Sequence, residues 1–353
     1  MAEWRQGKNM LTCSNLGMTI HFEMNEDFDL EKVHKDSLKL CEWLMFGPWD
    51  KEILRDYTWT RKRSGDNIGL AYSGGVDSTA ALTLLDFHEG LYLFYMQRHG
   101  IEKTLMNQAN PLESIRLVEE IRGQEVVKIK TDFEKVRHFL GNKINGFSTD
   151  LCVLIGSILM ADQYKIGYLA CGQMLESTWL QHGYEYRDFK ESGYWKRHTD
   201  VFESAGFKLY FPVHACSEVL TSKIAESGRY YGVGNPCLRS SLGGRACMNC
   251  YKCFRKQMIG GKQLPVNPDA LRQITNDKIK QGASLVYAYN KFGFYEHNLE
   301  KYKGVDYSFL EDYYAPALEL VPEEWRPQLE AELSKYASPM EFDLSKFEWK
   351  QND

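Results

Sequence analysis

The chain is 353 residues long, which is enough to bury one large core or two smaller ones. Its formal net charge of −5 is mild, so neither nucleic acid nor an anionic membrane is an expected partner. No apolar run approaches the ~18 residues that span a bilayer, and residues 1–6, MAEWRQ, predict no secretory signal. Clustered Cys in such a chain favour metal binding over disulfides, so we expect a cytoplasmic protein.

Three regions are expected along the chain: an N-terminal extension over residues 1–64, a central domain over 65–260 and an aromatic-rich C-terminal region over 261–353. The extension has a strand candidate at 19–22 and a helix candidate from about 30 to 44. The last region has helix candidates after residues 267–269 and near 323–336. Its dense Tyr and Phe residues predict core packing or, as the alternative, a docking surface for a partner protein.

The central region alternates between strand and helix patterns. Strands are expected at 68–72, 91–95, 125–129 and 168–171, and helices near 78–88, 103–122, 132–141 and 150–164. This alternation predicts an α/β fold with a doubly wound parallel sheet. Ligands of such a fold bind at the carboxyl ends of the strands.

A Gly-rich polar turn, SGGVDS at residues 73–78, follows the first of these strands and precedes a helix-forming run. We call it the SGGVDS loop. Gly74 and Gly75 let the backbone approach a ligand closely, and Ser78 is a candidate helix cap. Free N–H groups and the helix dipole would then face an anion. The loop lacks the Lys of a Walker motif and the spacing of a dinucleotide fingerprint. The pattern predicts a phosphate site; the alternative is a turn without a ligand.

The SGGVDS loop resembles the PP-loop of the ATP pyrophosphatases, enzymes that cleave ATP between its α and β phosphates. This resemblance implies that the loop holds the pyrophosphate portion of ATP and that Asp77 positions Mg²⁺. The ATP-binding residues that it implies are Tyr72, Ser73, Gly74, Gly75, Asp77, Ser78, Thr79 and Gly172.

Four Cys with the spacing C-x9-C-x2-C-x2-C form a second strong pattern, which we call the Cys cluster: Cys237, Cys247, Cys250 and Cys253. C-x2-C spacing brings two sulfurs to one ion, and four thiolates complete a tetrahedral shell with no open position. The prediction is a structural zinc site. An iron–sulfur cluster is the alternative metal centre, and unrelated reduced thiols are the alternative without metal.

Further motifs resemble the 7-cyano-7-deazaguanine synthase family, PP-loop enzymes of queuosine-precursor synthesis. Its members carry Gly-Gln-Arg-His after the second strand, where this chain has Met96 followed by Gln97, Arg98 and His99. Its later Thr-Gly, Gly-Tyr and Arg-Asp elements and its four-Cys zinc knuckle are matched in the same order, over residues 67 to about 260. The matching positions before the Cys cluster are Cys171-Gly172, Gly183-Tyr184 and Arg187-Asp188.

The resemblance implies an AMP-forming ligase with ATP, Mg²⁺ and structural Zn²⁺. The carboxylate of 7-carboxy-7-deazaguanine would attack the α-phosphorus of ATP and release pyrophosphate, and an amine would capture the acyl-adenylate as an amide. Where that amine is ammonia, a second ATP would convert the amide to a nitrile. In typical members the amine is ammonia. The catalytic residues would be Asp77, Arg98 and His99, and the substrate-binding residues would be Gln97, Tyr184, Arg187 and Asp188.

Departures from the family pattern keep other functions open. Where members carry a Lys after the last strand, this chain has Ser217 and Glu218, with Lys223 or His214 as candidate replacements. The added regions are consistent with relatives in phage-defence gene clusters, which are thought to couple a deazaguanine to a partner protein. A tRNA thiolase-like sulfur transferase and an inactive ATP-binding scaffold are further alternatives, and a homodimer stays open.

Overall fold

A computed structural model of the chain describes residues 2–99, 107–143, 146–235, 237–248, 250–262, 281–293 and 297–349. Its strands are β1 Glu3–Gln6, β2 Met10–Asn15, β3 Met18–Glu23, β4 Asn67–Ala71, β5 Leu91–Arg98, β6 Val127–Thr131, β7 Ile166–Cys171 and β8 Lys208–Tyr210. They form one eight-stranded sheet in the order β1-β2-β3-β6-β5-β4-β7-β8.

Helices connect and cover these strands. They are α1 Lys35–Phe46, α2 Val76–Leu85, α3 Ala109–Arg122, α4 Glu134–Gly141, α5 Ile155–Leu159, α6 Ala161–Tyr164, α7 Leu175–Thr178, α8 Gly193–Ser204, α9 Glu218–Ala225, α10 Tyr251–Ile259, α11 Gly282–Phe292 and α12 Arg326–Leu333. Short 3₁₀ helices lie at Leu30–Lys32, Asp150–Leu154, Gln181–Gly183, His297–Tyr302, Ser308–Glu311, Ala315–Leu320 and Leu344–Lys346. Among the described helices, none has the length and apolar character needed to cross a membrane.

The central strands are parallel. β4 pairs in parallel with β5 and β7, β5 pairs with β6, and β7 pairs with β8. β7 is buried along its whole length, as expected for a parallel strand that is covered on both faces. The prediction of an α/β fold with a largely parallel sheet is therefore confirmed. Strand order reverses direction at β4, and in open α/β sheets this switch point is where ligands bind.

The N-terminal region extends the same sheet rather than forming a separate body. β1, β2 and β3 make an antiparallel meander, and β3 pairs antiparallel with β6 through Phe22–Thr131 and Glu23–Lys130. Ile20 and Phe22 are buried and alternate with exposed residues, which explains why the sequence predicts this strand. β1 was missed because none of its four residues is buried, so it has no apolar periodicity.

The helix predicted over 150–164 is broken into the 3₁₀ helix Asp150–Leu154, α5 and α6. Gly156 explains part of this geometry, because a Cβ there would lie 3.0 Å from Met96 Sδ and 3.1 Å from Ile129 Cδ1. The glycine lets α5 pack closely on the sheet. The helix predicted near 323–336 is α12, whereas the one predicted after 267–269 lies outside the described residues.

The aromatic C-terminal region is largely core where the structure describes it. Tyr287, Tyr289, Tyr302 and Tyr313 are buried, and Trp349 is 7 % exposed. This packing supports the core interpretation of the pattern for these residues. Two large apolar side chains of this region are exposed among the described residues: Phe292 at 40 % and Phe342 at 39 %.

Candidate functional site

The SGGVDS loop lies at the carboxyl end of β4 and leads directly into α2. Gly74 has a left-handed backbone with φ of +72°, and a Cβ there would meet Ser114 Cβ at 2.9 Å and Pro111 Cα at 3.0 Å. Both the turn and the contact with α3 therefore require glycine at this position.

No side chain of the described residues caps the N-terminus of α2. Gly75 is its N-cap residue, and the predicted role of Ser78 as the cap is corrected, because the helix already begins at Val76. Ser78 Oγ instead donates to the Gly75 carbonyl at 2.9 Å and accepts from Ser73 N at 3.3 Å, which fixes the turn. The first N–H groups of α2 are therefore left for an external acceptor.

A cavity of about 480 Å³ opens beside this loop, at the carboxyl ends of β4, β5 and β7. Gly172 brings the β7 end close to α2, because a Cβ there would lie 3.0 Å from both Asp77 C and Ser78 N. The predicted ATP-binding residues that line the cavity are Tyr72, Ser73, Gly75, Asp77, Ser78 and Gly172. Thr79 lies behind the loop, where its Oγ1 is 3.2 Å from the hydroxyl of Tyr72.

Asp77 faces this cavity and is held by two donors. Its Oδ1 accepts from Thr221 Oγ1 at 2.8 Å and from Lys256 Nζ at 3.1 Å. Its Oδ2 has no hydrogen-bond partner among the described residues. One carboxylate oxygen is thus fixed by the protein while the other remains available to a cation.

Lys256 also binds the carboxylate of Glu218, which is buried. Its Nζ lies 3.1 Å from Glu218 Oε1, and Arg255 Nε lies 2.6 Å from Glu218 Oε2. Burial alone would raise the pKa of Glu218, but Arg255 and Lys256 outweigh it and lower this pKa to about 2. Glu218 therefore stays ionised and orients Arg255 and Lys256.

The cations near the SGGVDS loop come from α10, not from the positions that the sequence suggested. His214 is buried and its Nε2 contacts the Ala317 carbonyl at 2.6 Å, while Lys223 is exposed on α9. Neither is among the described residues that line the cavity, whereas Lys252 of α10 is. The available signal was the set of basic residues at the end of the Cys cluster: Lys252 between its last two Cys, and Arg255 and Lys256 just after it.

The predicted Gln97, Arg98 and His99 are separated by the structure. Arg98 lines the cavity, and its guanidinium lies 3.2 Å from Glu134 Oε1 and 4.5 Å from the ring centre of Phe147. His99 is exposed and joins the sheet through its N–H, which donates to the Thr131 carbonyl at 2.8 Å. Of these three residues, Arg98 belongs to the described lining of the cavity, and Gln97 and His99 do not.

The predicted Tyr184, Arg187 and Asp188 do not belong to the described lining of the cavity. Arg187 Nε donates to the Thr178 carbonyl at 2.5 Å, and Asp188 Oδ1 accepts from Glu191 N at 3.2 Å. Tyr184 is half-buried. The polar residues that do line the cavity, and that sequence reasoning did not select, include Gln108, Asp150, Gln173, Ser177, His182 and Asn235.

The Cys cluster is assembled in the fold. Ligand sulfurs of Cys237, Cys247 and Cys253 all lie within 4.8 Å of one another, and Cys247 and Cys253 Sγ are 3.7 Å apart. Four sulfurs at ~2.3 Å from one tetrahedral ion are about 3.8 Å apart. Cys250 is buried beside them as the N-cap residue of α10. The thiols of Cys237, Cys247 and Cys253 could therefore hold a metal ion, and Cys250 is the candidate fourth ligand.

Glu176 is a buried acid that lies against the N-terminus of α9. Both of its oxygens accept from Glu218 N, at 2.8 and 3.0 Å. Burial, followed by repulsion from Glu218, raises its pKa from 4.5 to about 7. Folding therefore favours the protonated acid.

Replacing this acid should change how stability depends on pH. The contribution of protonated Glu176 is complete below about pH 4.5 and is lost as pH rises to about 7. In wild type the free energy of unfolding should fall by up to about 3 kcal/mol over this pH range, and we expect Glu176→Gln to remove that fall. Urea unfolding of both proteins between pH 5 and 8 measures it. Glu203→Gln, at an exposed acid of α8, is the matched control; parallel wild-type and Glu176→Gln curves would contradict the assignment.

Comparison with known proteins gives one match, to a protein family. Residues 197–347 match a protein family of unknown function, DUF6395. No curated protein and no solved structure matches the chain. The matched segment includes the Cys cluster, α9 and α10, while the SGGVDS loop lies outside it.

Proposed function

We propose that this protein is a ligase that cleaves ATP to AMP and pyrophosphate while it activates a carboxylate. The proposal rests on three groups that lie at one cavity. The N-terminus of α2 and the ammonium of Lys252 can bind an anion, and the carboxylate of Asp77 can bind a cation. N–H groups and an ammonium stabilise phosphate charge, and a carboxylate holds Mg²⁺. Together with the resemblance of the SGGVDS loop to a PP-loop, they favour pyrophosphate as the bound group.

The rest of the cavity suits a planar base. Its volume of about 480 Å³ lies within the range of small-molecule sites, and its walls include Phe94, Tyr95, Met96 and Phe147. Rings of this kind pack against purine-like heterocycles. The resemblance to 7-cyano-7-deazaguanine synthases supports 7-carboxy-7-deazaguanine as the second substrate, with Arg98 as the partner of its carboxylate.

The proposed reaction has two steps that balance. A carboxylate oxygen of the substrate bonds to the α-phosphorus, and the bond from that phosphorus to the bridging oxygen breaks and releases pyrophosphate. The nitrogen of an amine then bonds to the acyl carbon, AMP leaves with the electron pair, and the amine proton passes to solvent. The protein aligns the groups and neutralises charge, which is where such reactions gain most of their rate.

Structural zinc is the proposed occupant of the Cys cluster. Four thiolates around one ion would leave no position for a substrate, as in structural zinc sites. Three of the four, Cys237, Cys250 and Cys253, are buried. The ion would fix the chain around α10 and would supply no step of the reaction. Metal analysis and the absence of iron–sulfur absorption in the visible range would support zinc.

Mass spectrometry of products tests the proposed activity. The protein is mixed with ATP, Mg²⁺ and 7-carboxy-7-deazaguanine, with and without ammonium, and a parallel sample omits the carboxylate. We expect carboxylate-dependent AMP, with an amide or nitrile when ammonia is the acceptor. AMP or a trapped adenylate without an ammonia-derived product would identify another amine as the acceptor, such as one on a partner protein. Intact ATP in every sample would overturn the ligase proposal and favour an ATP-binding scaffold.

A further inference from the structure

The Cys cluster is joined to the SGGVDS loop on its N-terminal side. Asn235, two residues before Cys237, donates from its backbone N–H to the Gly74 carbonyl at 2.9 Å and lines the cavity. Its Oδ1 accepts from Cys237 N at 3.0 Å. One short segment therefore contacts the loop at one end and supplies a sulfur at the other.

The buried side chain of Asn110 in α3 strengthens this connection. Its Nδ2 donates to the carbonyls of Cys237 at 2.9 Å and Arg245 at 3.0 Å, and its Oδ1 lies 3.3 Å from Asn235 Nδ2. The same helix contributes the Ser114 and Pro111 atoms that crowd Gly74. Asn110 itself is not part of the described cavity lining.

The second connection runs through α10. Cys250 is its N-cap residue and Cys253 lies in its first turn. Lys252, between these two sulfurs, lines the cavity, and Lys256, one turn after Lys252, binds Asp77 at 3.1 Å. Because a helix is a rigid element, the position of the two sulfurs sets the position of both ammonium groups.

We propose that Lys252 binds the triphosphate of ATP and that the Cys cluster positions it, so that metal binding at the Cys cluster raises the affinity of the cavity for Mg-ATP. This inference rests on the proposed function, since it assigns the phosphate contact of the same site. Lys252 replaces the cation that the sequence lacks near Ser217 and Glu218. A metal ion shared by Cys237 and Cys253, whose sulfurs lie within 4.8 Å of each other, fixes the Asn235 segment and α10 against the SGGVDS loop from both sides.

Equilibrium binding separates this inference from the proposed function. Isothermal titration with the non-cleavable analogue α,β-methylene-ATP and Mg²⁺ is carried out on wild type, Lys252→Met, Lys252→Arg and Lys262→Met. Lys262 is an exposed lysine just beyond α10 and is the matched control. We expect roughly 10- to 100-fold weaker binding for Lys252→Met, partial recovery for Lys252→Arg and no change for Lys262→Met.

The role of the metal is tested on the same readout. Protein freed of metal by a thiol-competing chelator, then returned to Mg²⁺, should bind the analogue at least about 10-fold more weakly and recover when Zn²⁺ is restored. If metal-free protein unfolds, Asn110→Ala serves instead. This substitution keeps all four Cys and the cavity lining but removes the hydrogen bonds of Asn110 to Cys237, Arg245 and Asn235. The variant should retain metal and bind the analogue more weakly.

The outcomes are distinct. No binding by wild type would overturn the proposed function itself. Tight binding by wild type, together with equal affinity in Lys252→Met, would overturn the assignment of Lys252. Tight binding by folded metal-free protein, or by Asn110→Ala where the metal-free protein unfolds, would overturn the positioning role of the Cys cluster.

Discussion

Replacing Asp77 by Asn is expected to lower the rate of pyrophosphate release by at least about 100-fold while the protein stays folded. Asn keeps an oxygen for Thr221 Oγ1 but loses the charge that would hold Mg²⁺. Lys256 keeps a buried carboxylate partner in Glu218, at 3.1 Å, so the substitution strands no unpaired cation. A coupled assay for pyrophosphate measures the rate, and urea unfolding measures the stability.

The control for this change is Asp200→Asn, at an exposed acid of α8. It removes the same charge from the chain without touching the cavity, and it should leave the rate unchanged. Equal rates of pyrophosphate release in Asp77→Asn and in wild type would show that this loop does not organise the metal of an ATP-cleaving site.

Replacing Cys250 by Ser is expected to lower both metal content and stability. Ser is a poor ligand for a soft thiolate site, and the three remaining sulfurs would hold the ion weakly. Because metal binding contributes directly to folding, we expect a loss of at least about 3 kcal/mol in the free energy of unfolding. Mass-spectrometric metal analysis gives the stoichiometry, and urea unfolding with and without a chelator gives the energy.

Cys41→Ala is the matched control for that substitution, since Cys41 is also buried but lies in α1, outside the Cys cluster. Loss of its sulfur should cost about 1 kcal/mol and leave the bound metal in place. If Cys250→Ser retained a full complement of metal and its chelator-sensitive stability, the cluster would not be a four-ligand site.

Local patterns were sufficient for much of the fold. The apolar runs at β4, β5 and β7 and the Gly-rich SGGVDS loop are short in sequence, and each local pattern agrees with the structure that forms there. C-x2-C spacing likewise places Cys247, Cys250 and Cys253 within a few residues, so the proximity of the Cys247 and Cys253 sulfurs was predictable before any tertiary contact was known.

Contacts between distant parts of the chain were not predictable in this way. Asp77 and Lys256 are 179 positions apart in sequence and form a hydrogen bond. β3 pairs with β6, and no local sequence pattern in either strand predicts this pairing. The sequence accordingly pointed to Lys223 or His214 as the missing cation, whereas the fold places Lys252 and Lys256 there. Which helix supplies a charge depends on packing angles and on the path of the chain, and no residue pattern records these.

The sequence by itself therefore determined the types of element, the loop that can bind an anion and the residues that can bind a metal. Only the tertiary structure decided that Glu176 lies against the backbone of Glu218, that Arg98 reaches the cavity while His99 is exposed, and that Asn235, two residues before Cys237, contacts the SGGVDS loop. The physical reason is that secondary-structure periodicity and ligand spacing act over a few residues, whereas burial, charge pairing and the shape of a cavity arise from segments that folding brings together.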